Sequence, residues 1–237
     1  MNLGQMQTLV TLALKSVQEP YMGTIPTLIN EGLNQLCQRR SWQCMKLTIP
    51  FSLNVTGPGP FTYVLPATFK ELQSGANSLY ASDGTPYGNS LWRIFTRQEV
   101  NRLTQIGVNV AERTAYLEQD PANSNLWTIY FPGPMDQGSL PPDSQFMVDT
   151  YSFLPPLVNP GDTNDLTTRY PMLVIEMCKF LVFSLGSDQD SIAMKNEALR
   201  MINGDPNNPL DIGYFRQASA DDNSHAVRGR TSRMMGF

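Results

Sequence analysis

Charge is scarce in this sequence. Lysine, arginine, aspartate and glutamate make up 16% of 237 residues, and 17 basic against 21 acidic side chains leave a net charge of −4. A protein that grips phosphate backbones over a wide surface needs a broad basic footprint, and none is present. Histidine is scarcer still. The only one, His225, lies in a polar C-terminal stretch without the apolar periodicity that would hold a general base in place. Three cysteines, Cys37, Cys44 and Cys178, are too few and too scattered for a disulfide framework or a zinc site, and a reducing cytoplasm suits them.

Long apolar runs are also missing. The longest, Met172 to Leu185, is interrupted by Glu176 and Lys179 and is too short to span a bilayer. The opening MNLGQMQTLVTLALKSVQEP has no basic n-region and no unbroken apolar core, so a signal peptide and a membrane partner are not expected. No Gly-x-Ser-x-Gly occurs, and no glycine-rich loop carries a lysine. In Gly57-Pro58-Gly59 the proline removes a donor that a phosphate cradle would need, which leaves a turn. Asp162-x-Asn164 lacks the glycine and closing glutamate of a calcium loop and reads as a loop with helix-capping residues. Catalytic residues, metal ligands and cofactors are therefore all expected to be absent, and the protein is not expected to be an enzyme.

What is present is patterning, and it is clearest from Thr24 to Pro50. Ile25, Leu28, Ile29, Leu33 and Leu36 fall at helical spacing, with Pro26 in the first turn, Thr24 available as a cap and Arg39 and Arg40 in the last turn. Trp42 follows, and the period changes to two. Met45, Leu47, Ile49, Phe51, Leu53 and Val55 alternate with polar residues, as in a strand with one buried face. Trp42 is the expected buried hinge between helix and strand.

Around this stretch lie a first amphipathic helix from Leu3 to Val17 and β structure from Met45 to about Leu157. Within the β region, Thr68 to Leu72 reads as a helical turn. Thr96-x-x-Glu99 matches a capping box opening a short helix, and two strands form a hairpin about Asp120-Pro121-Ala122-Asn123. Thr167 or Thr168 can cap the next helix, with Pro171 near its first turn. Gly186 ends it, and Asp188 caps another that runs to about Asn203. Residues beyond Asn203 lack periodicity and read as an extended arm that could be removed without loss of the fold. The resulting expectation is an α+β protein. A bundle of about four helices carries an inserted antiparallel β region between the second and third helices, followed by an extended C-terminal arm. The segments are 1–44, 45–160, 161–203 and 204–237.

The run Ile29-Asn30-x-x-Leu33-x-x-Leu36-x-x-Arg39-Arg40-x-Trp42 and the alternating strand after it resemble the head-to-tail adaptor (connector) proteins of tailed bacteriophages. Tyr63-Val64-Leu65-Pro66-Ala67-Thr68-Phe69, Thr96-Arg97-Gln98-Glu99, Leu126-Trp127-Thr128-Ile129-Tyr130-Phe131-Pro132 and Arg169-Tyr170-Pro171 continue the resemblance in the same order along nearly the whole chain. It implies a structural virion protein in the neck between head and tail. Such a protein docks on the portal, forms a ring of twelve copies, extends the channel through which double-stranded DNA passes without sequence-specific binding, and receives the tail proteins (nozzle, tube or stopper). The resemblance makes the arm the candidate portal contact, through Tyr214, Phe215, Arg216, Arg228, Arg230, Arg233 and Phe237. Arg39 and Arg40 become candidate contacts between subunits, beside their plain reading as charges that complement a helix dipole. With polar outer faces expected on every helix, little apolar surface is left for strong self-association, so the ring is expected to assemble on the portal. Two other classes remain: a carbohydrate-binding or host-recognition tail module, which would need exposed aromatics on the β region, and a small hydrolase.

Overall fold

The structure, a computed structural model, describes residues 1–14, 24–53, 61–82, 89–106, 114–123, 126–131, 145–208 and 211–234. The expected reversal at Gly57–Pro60, the Tyr21–Gly23 loop and Phe237 lie outside them. Seven helices are described: α1 (Leu3–Leu14), α2 (Ile25–Arg39), α3 (Arg97–Gln105), α4 (Asp165–Arg169), α5 (Pro171–Phe183), α6 (Gln189–Asn203) and α7 (Gly213–Met234). Eight strands accompany them: β1 (Lys46–Ser52), β2 (Phe61–Val64), β3 (Phe69–Leu72), β4 (Leu79–Ser82), β5 (Asn89–Thr96), β6 (Thr114–Gln119), β7 (Trp127–Phe131) and β8 (Gln145–Ser152). They divide into two compact units, Met1–Cys44 with Leu154–Phe237, and Met45–Phe153.

The helical unit is organised on α5. Its sequence PMLVIEMCKFLVF is apolar nearly all round, which marks a helix covered on every side. Helices α1, α2, α4, α6 and α7 pack against it. Gly32 lets α2 approach closely, since a Cβ there would meet Met177 Cγ at 3.3 Å. Glu176, buried among these contacts, is paired with Lys179 at 2.7 Å. The helix starts follow side-chain chemistry. Asn164 and Thr167 form a reciprocal capping box at α4, and Asp188 accepts from the Ser191 N–H at 2.8 Å at α6. Thr167 and Thr168 lie inside α4; α5, the helix they were expected to cap, begins after Tyr170 without a side-chain capping bond, and Thr24 makes none at α2.

The sheet unit follows the order β1-β8-β4-β5-β6-β7-β2, with β3 also paired to β8. Along one edge β8 pairs β1 over Gln145–Tyr151; β4 pairs residues Gln145–Val148 and β3 pairs Thr150–Ser152. Its alternation places Phe146, Val148, Thr150 and Ser152 inward. Although β1 and β2 are the two ends of the path, Phe51 of β1 stacks on Tyr63 of β2 at 4.0 Å, so the sheet curls back on itself in a barrel-like fold. Phe51, Trp92, Phe131 and Phe146 fill its interior at ring separations of 5.1–6.2 Å. Such stacked, tilted and edge-on pairs add about 0.5–1.5 kcal/mol each beyond their burial.

These features overturn the expectation of a four-helix bundle with an antiparallel insertion between its second and third helices. Seven helices are present among the described residues; one of them, α3 between β5 and β6, is the short helix expected after Thr96. The sheet is not wholly antiparallel, because β5 and β6 run parallel with Arg93 opposite Thr114, and α3 lies on the crossover between them. The extended arm is instead helix α7, 22 residues long. The helical turn expected at Thr68–Leu72 is strand β3, where Phe69 supplies an inward side chain and β8 offers a free edge.

Candidate interface on the helical unit

At the end of α2 the chain turns on Trp42. Its side chain is fully buried, and its indole N–H donates to the Leu36 carbonyl at 3.0 Å, one of the last carbonyls that the helix leaves unpaired. Tyr170 lies 5.6 Å from the indole, and Phe215 of α7 meets it edge-on at 5.8 Å. The Arg40 guanidinium covers another side at 5.4 Å. Trp42 is therefore the anchor that fastens α7 onto the helical unit.

Polar contacts complete the attachment. Asp222, buried on α7, accepts the Gln43 backbone N–H and pairs with Arg40 at 3.4 Å. Arg40 also donates to the Asn223 side chain at 2.6 Å and to the Ser219 carbonyl at 3.3 Å. At the adjacent position on α7, Asp221 accepts from the Tyr170 hydroxyl at 2.8 Å. Burial, and then that hydrogen bond, holds the Tyr170 hydroxyl protonated well above its usual range. Burial also pushes the Cys44 thiol up to about 12, helped by the carboxylates of Asp165 and Asp222. A thiol held neutral in this way is a poor nucleophile. Among the described residues no group of histidine, cysteine, aspartate and glutamate could hold a metal ion, and no helix is long and apolar enough to cross a membrane. Asp162 accepts the N–H groups of Val158 and Asn159, closing a loop, and these bonds lower its pKa.

The residues singled out from the sequence separate into distinct roles. Arg40 is turned inward as a clamp on α7, while Arg39 is exposed and makes no ion pair among the described residues. Phe215 is committed to Trp42 and Tyr214 is half-buried. Arg216 is exposed and lines an open depression of about 400 Å³ with Leu199, Asn203, Gly204 and Pro206. Arg228, Arg230 and Arg233 belong to the C-terminal half of α7, their side chains outside the described ones. Asp222 escaped the sequence reading, since nothing in the polar pair Asp221-Asp222 signals that one of the two will be buried. Its spacing from Phe215 and Ala218, at i+7 and i+4, is the one signal available.

The family model of the SU10 adaptor protein matches residues 1–218, which take in both units and the first turns of α7 with Phe215. The chain belongs to the SU10 adaptor family. It is thus a phage adaptor, a structural component of the virion. No curated protein matches the adaptor chain. The matched region ends at residue 218, just inside the anchored part of α7 and ahead of all three distal arginines.

Proposed function

We propose that this adaptor docks on the portal through the distal half of α7, assembles there as a ring of twelve, extends the DNA channel and presents a seat to the tail proteins. The observation that carries the reading is the asymmetry of α7. Its first turns are fastened to the helical unit by Phe215 and Asp222. The segment after Asn223 carries Arg228, Arg230 and Arg233 without a single acidic residue, in a chain whose net charge is −4. A helix fixed at its root and basic beyond it fits a groove lined with carboxylates. The chain's low charge suits a conduit through which DNA slides without adhering.

Portal particles should capture the full chain and fail to capture a chain ended after Asn223, with both proteins keeping the same thermal midpoint. Capture of the shortened chain at full strength would remove α7 as the docking element. Failure of the full chain to bind portal would remove the docking function itself.

A further inference from the structure

Helix α7 is gripped from two sides, beyond what its burial supplies. Its contact line is narrow: Phe215, Ala218 and Asp222 follow one another at i, i+3 and i+7, and only the last two are buried. A helix resting on one line is free to roll about it. Successive side chains turn by about 100° around the axis, so Asp221 projects to one flank of Asp222 and Asn223 to the other. On the first flank the Tyr170 hydroxyl donates to Asp221 at 2.8 Å. On the second, Arg40 donates to the Asn223 side chain at 2.6 Å and to the Ser219 carbonyl at 3.3 Å. Both of these bonds run from Nη2 of Arg40, while its Nε stays buried without a partner. The guanidinium is thus aimed at α7 and not at saturating its own donors.

Each grip has a rigid base. Tyr170 stands at the junction of α4 and α5 with its backbone N–H on the Leu166 carbonyl at 2.8 Å, and Arg40 directly follows α2. Both lie against the buried indole of Trp42, at 5.6 and 5.4 Å. What they hold is a lever. At about 1.5 Å per residue the end of α7, Met234, lies roughly 28 Å beyond Phe215, so a lean of about 10° about that contact moves it by roughly 5 Å. An arginine–carboxylate bond needs its atoms about 2.7–2.9 Å apart, so a displacement of that size breaks it. A roll by one residue step, about 100°, turns a distal side chain away from its partner.

We infer that Tyr170 and Arg40 are positioning residues for portal docking: by holding Asp221 on one flank and Asn223 on the other, they fix the lean and roll of α7 and so bring Arg228, Arg230 and Arg233 to their carboxylates without touching the portal themselves. The inference rests on the docking through α7 proposed above. Its physical content is preorganisation. A helix already set in its bound direction loses little freedom on docking. A loosened one is competent for only part of the time and binds in proportion to that part. The grips act before contact, so their loss slows association. Once the portal holds α7 its direction is imposed, and the dissociation rate stays as it was. A side chain that touched the portal would instead act mainly on dissociation.

Tyr170→Phe and Asn223→Ala each release one flank. The first keeps the ring on Trp42, both bonds removed are exposed, and neither change alters net charge, so electrostatic steering is unchanged. Kinetics are read with the full chain on immobilised portal particles, well below every thermal midpoint, so that all chains are folded. Each single variant should associate about threefold more slowly than the wild type and the combined variant about tenfold, with dissociation unchanged. A wild-type association rate in either single variant, or a loss that appears in the dissociation rate, would overturn the positioning role and leave docking through α7 standing. A wild-type chain that does not bind portal would overturn both.

Discussion

Asp222 of α7 reaches the turn after α2, where both of its carboxylate oxygens accept the Gln43 backbone N–H, at 3.1 and 3.2 Å. The same carboxylate faces Arg40. Removing it leaves a backbone donor and a guanidinium short of a partner in a largely closed site, a change that costs about 1–3 kcal/mol. Asp222→Ala should lower the unfolding free energy by that amount, read as a lower urea midpoint at unchanged slope. A midpoint equal to that of the wild type would show that water replaces the carboxylate at no cost.

Trp42→Ala should be more damaging. It opens a cavity beneath Tyr170 and Phe215 and deletes the bond to the Leu36 carbonyl. Large-to-small aromatic substitutions in cores cost roughly 3–5 kcal/mol. Equilibrium urea unfolding measures it, and a loss below about 1 kcal/mol would contradict the complete burial of the indole.

Truncation should show where the fold ends. A chain stopped after Asn203 loses Phe215 and Asp222 and uncovers Trp42, so its thermal midpoint should fall sharply. A chain stopped after Asn223 keeps both and should melt with the full chain. Equal midpoints for the two truncated chains would mean that α7 contributes nothing to the helical unit. The extended, separable arm expected from the sequence would have given that equality.

Acid should act partly through the cap of α6. Hydrogen bonds from the Ser191 hydroxyl and backbone N–H hold the Asp188 carboxyl below its ordinary 3.8. Because the folded state lowers this pKa, the stabilisation is complete above 3.8 and is lost as pH falls through the folded value. Asp188→Asn retains a capping side chain but cannot titrate. Its thermal midpoint should therefore decline less steeply than that of the wild type in the acid range. Parallel declines would exclude Asp188 from the acid response.

Much of this molecule was legible wherever a side chain's role matched its polarity. Ile29, Leu33 and Leu36 marked α2, and Thr96 with Glu99 marked the start of α3, where the Thr96 N–H reaches Glu99 at 2.8 Å and the Glu99 N–H returns to Thr96 at 3.2 Å. Ile49, Phe51 and Leu53 marked the inward face of β1. Leu47 shares that face yet is 47% exposed, because alternation names a face and not where the opposing layer stops. Helix α7 was hidden for the opposite reason. It is held by an edge-on phenylalanine, an alanine and a buried aspartate, so its contact stripe is not written in apolar residues. Arg40 likewise looked like a surface charge, and only the carboxylate brought to it from 182 positions away makes it a clamp. The parallel β5–β6 pair depends on a crossover, and no local pattern records the direction in which a strand is joined.

The connection from α6 to α7 closes on two glycines, Gly204 at φ 86° and Gly213 at φ 67°. A Cβ on Gly204 would run into the backbone of Asp211 and Ile212, and one on Gly213 into Gly204 itself. Both backbones lie in the left-handed region and touch main chain, which cannot rotate out of the way as a side chain can. Pro206, Asn207 and Asn208 stand exposed a few residues along. The two halves of this connection thus differ in what they tolerate. Its tip tolerates a change of side chain at Pro206 and Asn207, which face solvent. Its base admits no side chain without displacing main chain, so the two glycines fix the direction in which α7 leaves the unit.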